Sequence, residues 1–320
     1  MHKLIGEMFI NNFSNPILEK LNDQALLDIN STKVAFTTDS YVVSPVFFPG
    51  GNIGDLAVNG TINDLVMGGA IPLYLSAGFI IEEGFPLEDL EKIILTMKEC
   101  CEKAGVQIVT GDTKIVNKNC ADKIFINTSG IGIVPNDVDI SVENVKVGDK
   151  IILSGSIGDH GMAILTQREG LILKSSIVSD SKSLNDLVRK MLDYTKKINC
   201  MRDPTRGGVA TTLNEIAEKA NVGIEIIFDK IPVNESVSAA CEILGFDPLY
   251  VANEGKLLAF VDSSEAEGLI KLIKSHPDGL QAEIIGEVVE KHPKKVIMKT
   301  SIGGSRIVDM LTGEQLPRIC

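Results

Sequence analysis

Asp39 closes the β-branched run "VAFTTD", Asp64 lies in the helical stretch "INDLVMGG", and Asp112 sits in "TGDTK" at the end or turn of another strand. Hard divalent cations need oxygen ligands, and Mg2+ shares a few carboxylates with substrate phosphates rather than filling an all-protein cage. Each aspartate alone reads as a turn or cap residue. Together they point to nucleotide binding. Between the first two, Asp55, Asn59 and Asn63 recur at four-residue steps, giving one helix face a polar stripe with neither Lys nor Glu in it. A solvated stripe would be rich in those charges, so the composition favours a face turned toward a ligand.

The usual nucleotide fingerprints are missing: no G-x-x-x-x-G-K-[ST] occurs, and no G-x-G-x-x-G opens a helix. The stretches "FPGGNIGD", "GDTK" and "DPTRGG" can instead bring backbone N–H groups close to phosphates, with Lys114 or Arg206 as a cationic partner.

A second chemistry is offered by the final stretch "GEQLPRIC", whose last residue is Cys320. On position alone, a terminal cysteine is the end of a frayed tail. The remaining cysteines, Cys100, Cys101, Cys120, Cys200 and Cys241, form no C-x-x-C pair and no disulfide framework. Vicinal Cys100 and Cys101 fall in an amphipathic helical pattern and read as small apolar packing residues. His2, His160, His276 and His292 make no metal-ligand spacing with the cysteines, so neither a zinc site nor a His-based triad is expected.

The elements that must position these groups belong to a chain of 320 residues, 44% hydrophobic and 23% charged, long enough for two globular domains. A net charge of -12 and a pI near 4.9 would repel a phosphate backbone, which argues against nucleic acid as a partner. No apolar run is long enough to cross a bilayer, and the start "MHKLIGEMFINNF" has neither a basic leader nor a cleavable apolar stretch. A cytoplasmic protein with reduced thiols and no membrane partner is expected.

From Lys33, "KVAFTTDSYVV" predicts a strand, "IGDLAVNGTINDLVMGG" a helix and "LYLSAGFIIE" a strand. A helix from Leu87 then leads to strands in "VQIVTGDTKIV" and "KIFINTSGIGIVP". A domain boundary falls near Val145 to Lys150. Beyond it, "KIILSGSIGDHGMAILTQREG" gives a strand and helix, "SLNDLVRKMLDYTKKI" and "GGVATTLNEIAEKA" give helices, and "VGIEIIFDKI", "KLLAFVD" and "AEIIGEVVE" give strands. The expectation is an α/β (α+β) protein with mixed sheets. It divides into residues 1–147, 148–302, and 303–320, the last a strand followed by a free tail.

The segments "TTDSYVVSPVFFPGGNIGDLAVNGTINDLVMGGAIP", "TGDTK", "SGSIGDHG", "DPTRGG", "NEGK" and the final "PRIC" span both halves in order. On them the chain resembles the HypE hydrogenase-maturation proteins of the PurM-like (AIR synthetase) superfamily. The aspartate motifs are common to that superfamily, whereas the ending Pro-Arg-Ile-Cys is specific to HypE. The resemblance implies a homodimer whose N-terminal domains form a joint β-barrel, with ATP and Mg2+ bound near it. It makes Asp39, Asp64, Asp112 and Asp203 the candidate metal and phosphate residues, with Asp55, Asn63, Gly111, Thr113 and Lys114 beside them. Glu254, in "NEGK", becomes the group that handles protons at Cys320. The family usually carries a glycine-rich stretch before the helix that falls here near His2 to Phe13, and this sequence lacks it.

The implied reaction is an ATP-dependent dehydration. A carbamoyltransferase, HypF, delivers a carbamoyl group to Cys320, phosphorylation turns the amide oxygen into a departing phosphate, and a thiocyanate results. A HypC–HypD complex carrying iron receives the cyanide ligand of a [NiFe]-hydrogenase. A tail from Gly313 can extend roughly 25 Å at ~3.3 Å per residue, enough to present Cys320 outside and withdraw it. The alternatives are another PurM-like kinase or synthetase, and a non-catalytic nucleotide-binding carrier with a docking tail.

Overall fold

The computed structural model describes residues 15–20, 22–170, 177–311 and 318–320. The helix expected near His2 to Phe13 and residues 312–317 of the expected tail lie outside the described residues.

β1 (Ala25–Ile29) and β2 (Thr32–Tyr41) form a hairpin closed by Asn30 and Ser31, both at positive φ, the backbone that matches strand twist in a two-residue turn. A short ribbon of β3 (Phe47–Phe48) and β4 (Gly51–Asn52) leads into α1 (Ile53–Met67). The helix starts at a capping box: Asn52 Oδ1 accepts from Gly54 N–H at 2.8 Å, and Asp55 accepts from Asn52 N–H. Every residue of α1 except Asp64 is buried, so the helix is a central element and not an amphipathic surface one.

β5 (Ile71–Glu82), α2 (Leu87–Ala104), β6 (Gln107–Val116) and β7 (Ile124–Val134) complete the first half. Its five-stranded sheet runs β1-β2-β7-β5-β6. Only β5 and β6 pair in parallel, because α2 carries the chain across between them. β7 alternates buried and exposed along its length, while β6, at the sheet edge, is exposed along all but its last residue.

The second half contains β8 (Lys150–Leu153), α3 (Asp159–Arg168), α4 (Asn185–Tyr194), β9 (Ile198–Arg202), α5 (Gly208–Ala220) and β10 (Gly223–Ile227). It continues with α6 (Glu235–Leu244), β11 (Leu258–Val261), α7 (Ser263–Ser275), β12 (Glu283–Val289), β13 (Val296–Lys299) and β14 (Ser305–Val308). The mixed seven-stranded sheet runs β14-β13-β10-β12-β8-β11-β9. The helix that the sequence extends through Ile198 stops at Tyr194, where Thr195 turns extended (φ -150°) and the chain enters β9.

The two halves share a core. Leu65, Met67 and Val134 pack with Ile152, Leu187 and Met191 in one apolar cluster. A second cluster joins Val43, Phe48, Ile53 and Ile93 to Ile164, Ala252 and Ile319. Residues 177–184 run between them as an extended strap without regular structure. Among the described residues no helix is long and apolar enough to cross a membrane.

Candidate active site

Four carboxylates converge where the halves meet. Asp39 ends up on β2, Asp64 on the one half-buried position of α1, Asp203 just after β9, and Glu254 in the loop before β11. Burial raises the Asp64 carboxyl well above its ordinary range, and the charges of Asp203, Asp39 and Asp23 add to that; the 2.7 Å hydrogen bond from Thr37 opposes it. Burial, then Asp23, pushes Asp203 up to about 8. Asp39 opens to solvent on one side, yet enclosure on the others still raises it against the hydrogen bond from Tyr41. Glu254 is raised well above its usual range, by burial first and then by Asp203, Asp180 and Asp39. Crowded buried carboxylates of this kind hold protons until a cation replaces them.

Glu254 is fixed through its backbone and leaves its carboxyl available. Its N–H donates to Asp180 Oδ1 at 3.1 Å, and its carbonyl accepts from Asn63 Nδ2 at 3.3 Å. Its Oε1 is buried and has no hydrogen-bond partner.

Cys320 lies beside it. Val42 N–H donates to the Cys320 carbonyl at 3.1 Å and Ser44 N–H to the Arg318 carbonyl at 3.2 Å, so the end of the chain lies along the segment that follows β2. Ile319 is 4% exposed, packed in the cluster with Val43, Phe48 and Ile164. Arg168 bridges the carbonyls of Ser44 and Arg318, and Arg318 pairs with Asp122. The Cys320 thiol is pushed up to about 12 by burial, then by the charge of Glu254; Arg206 against the sulfur opposes this. Residues 318–320 are thus docked, although the sequence suggests a free tail.

The polar stripe of α1 faces the strap of the same chain. Asn63 donates to the Lys182 carbonyl at 3.0 Å and accepts from Leu184 N–H at 2.9 Å, and Asn59 reaches Ser181. Asp55 is pushed up to about 6 by burial and keeps a buried Oδ1 without a partner. The "FPGG" turn is also engaged by the strap: Pro49 carbonyl accepts from Ser179 N–H at 2.8 Å. Gly50, at φ +95°, leaves no room for a side chain, because a Cβ would stand 2.8 Å from Ser179 N.

Gly111, Asp112, Thr113 and Lys114 are elsewhere. They lie on exposed β6, where Asp112 accepts from Lys114 Nζ and from Thr113 N–H, each at 2.9 Å, and its carboxyl is held below the usual range by that lysine. A groove of about 1000 Å3 lies between β6 and α2, lined by Phe79, Met97, Ile108 and Asp112; none of Asp39, Asp64, Asp203 or Glu254 borders it. Among the described residues no three His, Cys, Asp or Glu side chains form a ready-made metal cage. The all-oxygen donor set of Asp39, Asp64 and Asp203, crowded enough to raise all three carboxyls, fits a hard cation shared with phosphates.

Several members of the site escaped the sequence reading. Asp23, which forms a 2.7 Å ion pair with Arg202, adds its charge to the cluster. Asp180 and Lys256 form a 2.8 Å pair with side chains 5% and 7% exposed. The Lys256 signal was present in "NEGK"; Asp180, in "VSDSKS", had none, since its role depends on where the strap crosses.

Residues 21–134 match the model of the N-terminal domain of AIR synthase related proteins, and residues 146–299 that of their C-terminal domain. The chain belongs to the AIR synthase related proteins. It is 52% identical over 320 residues to the carbamoyl dehydratase HypE of Azotobacter vinelandii, covering 100% of this chain and 94% of that one. A solved HypE–HypF complex is similar at 50% identity and a TM-score of 0.92, covering 96% of this chain and 99% of that one. A HypE structure in complex with ATP matches at 47% identity and a TM-score of 0.88, covering 100% and 96%. Within the class, the chain belongs to the HypE carbamoyl dehydratases.

Proposed function

We propose that the chain dehydrates an S-carboxamide on Cys320 to a thiocyanate, with ATP as the acceptor of the oxygen. The observation that carries the reading is Cys320 docked beside Glu254 in a pocket of buried carboxylates. The sum balances: the S-carboxamide and ATP give the S-cyano group, ADP and inorganic phosphate, the amide oxygen leaving in the phosphate. The amide nitrogen loses two protons, and Glu254, fixed by its backbone with one carboxyl oxygen unpartnered, would take one once its carboxyl is ionised. Asp39, Asp64 and Asp203 would hold Mg2+, which when bound neutralises phosphate charge. The ATP-bound HypE relative supports the nucleotide, and the HypE–HypF complex supports a HypF-like carbamoyl donor.

Exposed β6, with Ile108, Val109 and Ile115 open to solvent, supports pairing with a second copy in a homodimer. Such pairing would let Asp112, Thr113 and Lys114 serve from the subunit edge. The division near residue 147, the hand-over of cyanide to a HypC–HypD-like iron carrier and a cytoplasmic setting belong to the same reading, the last supported by six free cysteines. Intact-mass analysis with a HypF-like carbamoyltransferase, carbamoyl phosphate and ATP tests it. Cys320 should gain a carboxamide and then lose one water; a carboxamide that persists with ATP present would overturn the assignment.

A further inference from the structure

His160, fully buried on α3, touches the tail directly. Its Nε2 is 2.9 Å from the Ile319 carbonyl and its Nδ1 is 2.8 Å from Ser179 Oγ. A carbonyl only accepts, so Nε2 carries the ring proton, and Nδ1 accepts the hydrogen bond of the Ser179 hydroxyl. Ser179 Oγ in turn accepts from Ser181 N–H at 3.1 Å, which completes a chain of bonds with one consistent direction. Phe48 meets the imidazole edge-on, ring centroids 5.6 Å apart, and fixes its plane. Burial holds the imidazole below its usual range, against the pull of Asp180, in keeping with a neutral ring bearing one N–H.

The neighbouring strap residue acts on the other reactant. Asp180 accepts from Glu254 N–H at 3.1 Å and pairs with Lys256 at 2.8 Å. Consecutive residues therefore orient the ring that grips the peptide before Cys320 and the loop that carries the carboxylate facing it. The strap is tied to α1 through Asn63, so neither end can drift independently.

We propose that His160, oriented by Ser179, is the positioning residue of the docked tail, and that strap 177–184 holds Cys320 and Glu254 in register for dehydration. The proposal rests on Cys320 being the carbamoyl acceptor. It is not a proton-transfer role: His160 touches the Ile319 carbonyl and not the reacting atoms.

The test uses the full chain and three variants. His160→Gln keeps an N–H donor near the Nε2 position, His160→Met keeps volume without a donor, and Ser179→Ala releases the ring. Alkylation of Cys320 by iodoacetamide is followed by peptide mass, and water loss from carbamoylated Cys320 is followed in a single turnover at saturating ATP. His160→Met should speed alkylation and slow water loss by about tenfold each, a change equal to ~1.4 kcal/mol and of the size of one hydrogen bond. Ser179→Ala should shift both in the same directions by a smaller factor, His160→Gln should stay close to the parent, and ATP affinity should be unchanged throughout. Equal behaviour of the Gln and Met variants would show a volume effect and overturn the proposal. If the Met variant does not fold, Ser179→Ala decides, and parent-like alkylation in it is the overturning result. A parent whose Cys320 never takes a carbamoyl group would reject the acceptor reading instead, while the alkylation series would still decide the positioning.

Discussion

Lys256→Met removes the cation from a pair in which both side chains are more than nine-tenths buried and the Nζ–Oδ2 distance is 2.8 Å. Burial alone would raise Asp180, yet the Lys256 ammonium holds it below the ordinary carboxylate range. Without that ammonium the carboxylate keeps the Glu254 N–H at 3.1 Å but faces Glu254 and the carboxylate cluster uncompensated. Breaking one side of such a pair costs about 3–5 kcal/mol, far above the value of an exposed ion pair. For a chain of this length a loss of roughly 6 °C in unfolding midpoint follows.

The pH dependence identifies the cause. In the parent, Asp180 has a depressed folded value, so its contribution is present above the unfolded pKa near 3.8 and is lost only as pH falls through the lower folded value. In Lys256→Met the folded value is raised, so the penalty is full at high pH and is relieved as pH falls through it. The gap between parent and variant should therefore narrow from pH 8 to pH 5, at up to about 1.4 kcal/mol per pH unit. Other raised groups titrate in both proteins and cancel in the difference. Denaturant unfolding at stepped pH measures the gap, and Asp180→Asn combined with Lys256→Met should recover most of the loss at pH 8. A gap under 1 kcal/mol, or one constant with pH, would refute the reasoning.

Asp64→Asn and Asp203→Asn should each weaken Mg2+-dependent ATP turnover while leaving the fold intact, because each relieves crowding among carboxylates; turnover equal to the parent at limiting Mg2+ would remove them from the site. Glu254→Gln should accept the carbamoyl group and bind ATP but form thiocyanate slowly, and a normal single-turnover rate would reject it as the proton acceptor. Cys320→Ser should show no carboxamide by mass, whereas adding one alanine after Cys320 should permit the carboxamide and stall water loss. A cyano group on the serine variant would sink the acceptor assignment.

The strands and helices that carry a clear period were legible: β5, β7, α1, α2 and α5 stand where alternation or helical spacing placed them. β9 was hidden because "INCMR" follows a helical run without a glycine or proline, and only the three residues that begin with the extended Thr195 separate them. Of the site, Asp39, Asp64, Asp203 and Glu254 come together, and Asp112 with Lys114 stands apart at the sheet edge. The stripe of Asp55, Asn59 and Asn63 was visible as an anomaly, but spacing along one helix gives a direction and not the identity of what lies opposite. Here that is the strap, whose own sequence has no period to betray it. Long-range partners such as His160 and Ile319, 159 positions apart, carry no local signal at all.

On the proposed function, the elevated thiol would separate carbamoylation from docking. A thiol near 12 is almost wholly protonated at neutral pH and is a poor nucleophile, so on the proposed function Cys320 would take its carbamoyl group with the tail away from this pocket. The same property protects the product of that transfer. An S-carboxamide can break at its carbon–sulfur bond, expelling thiolate, or at its carbon–oxygen bond, leading to thiocyanate. Burial and the neighbouring Glu254 make the thiolate costly, so loss of the carbamoyl group through sulfur is disfavoured where Cys320 is docked. Activation of the oxygen by phosphoryl transfer then leaves oxygen as the better leaving group. On the proposed function, the environment that would make Cys320 inert as an acceptor would also direct the bound carboxamide toward dehydration.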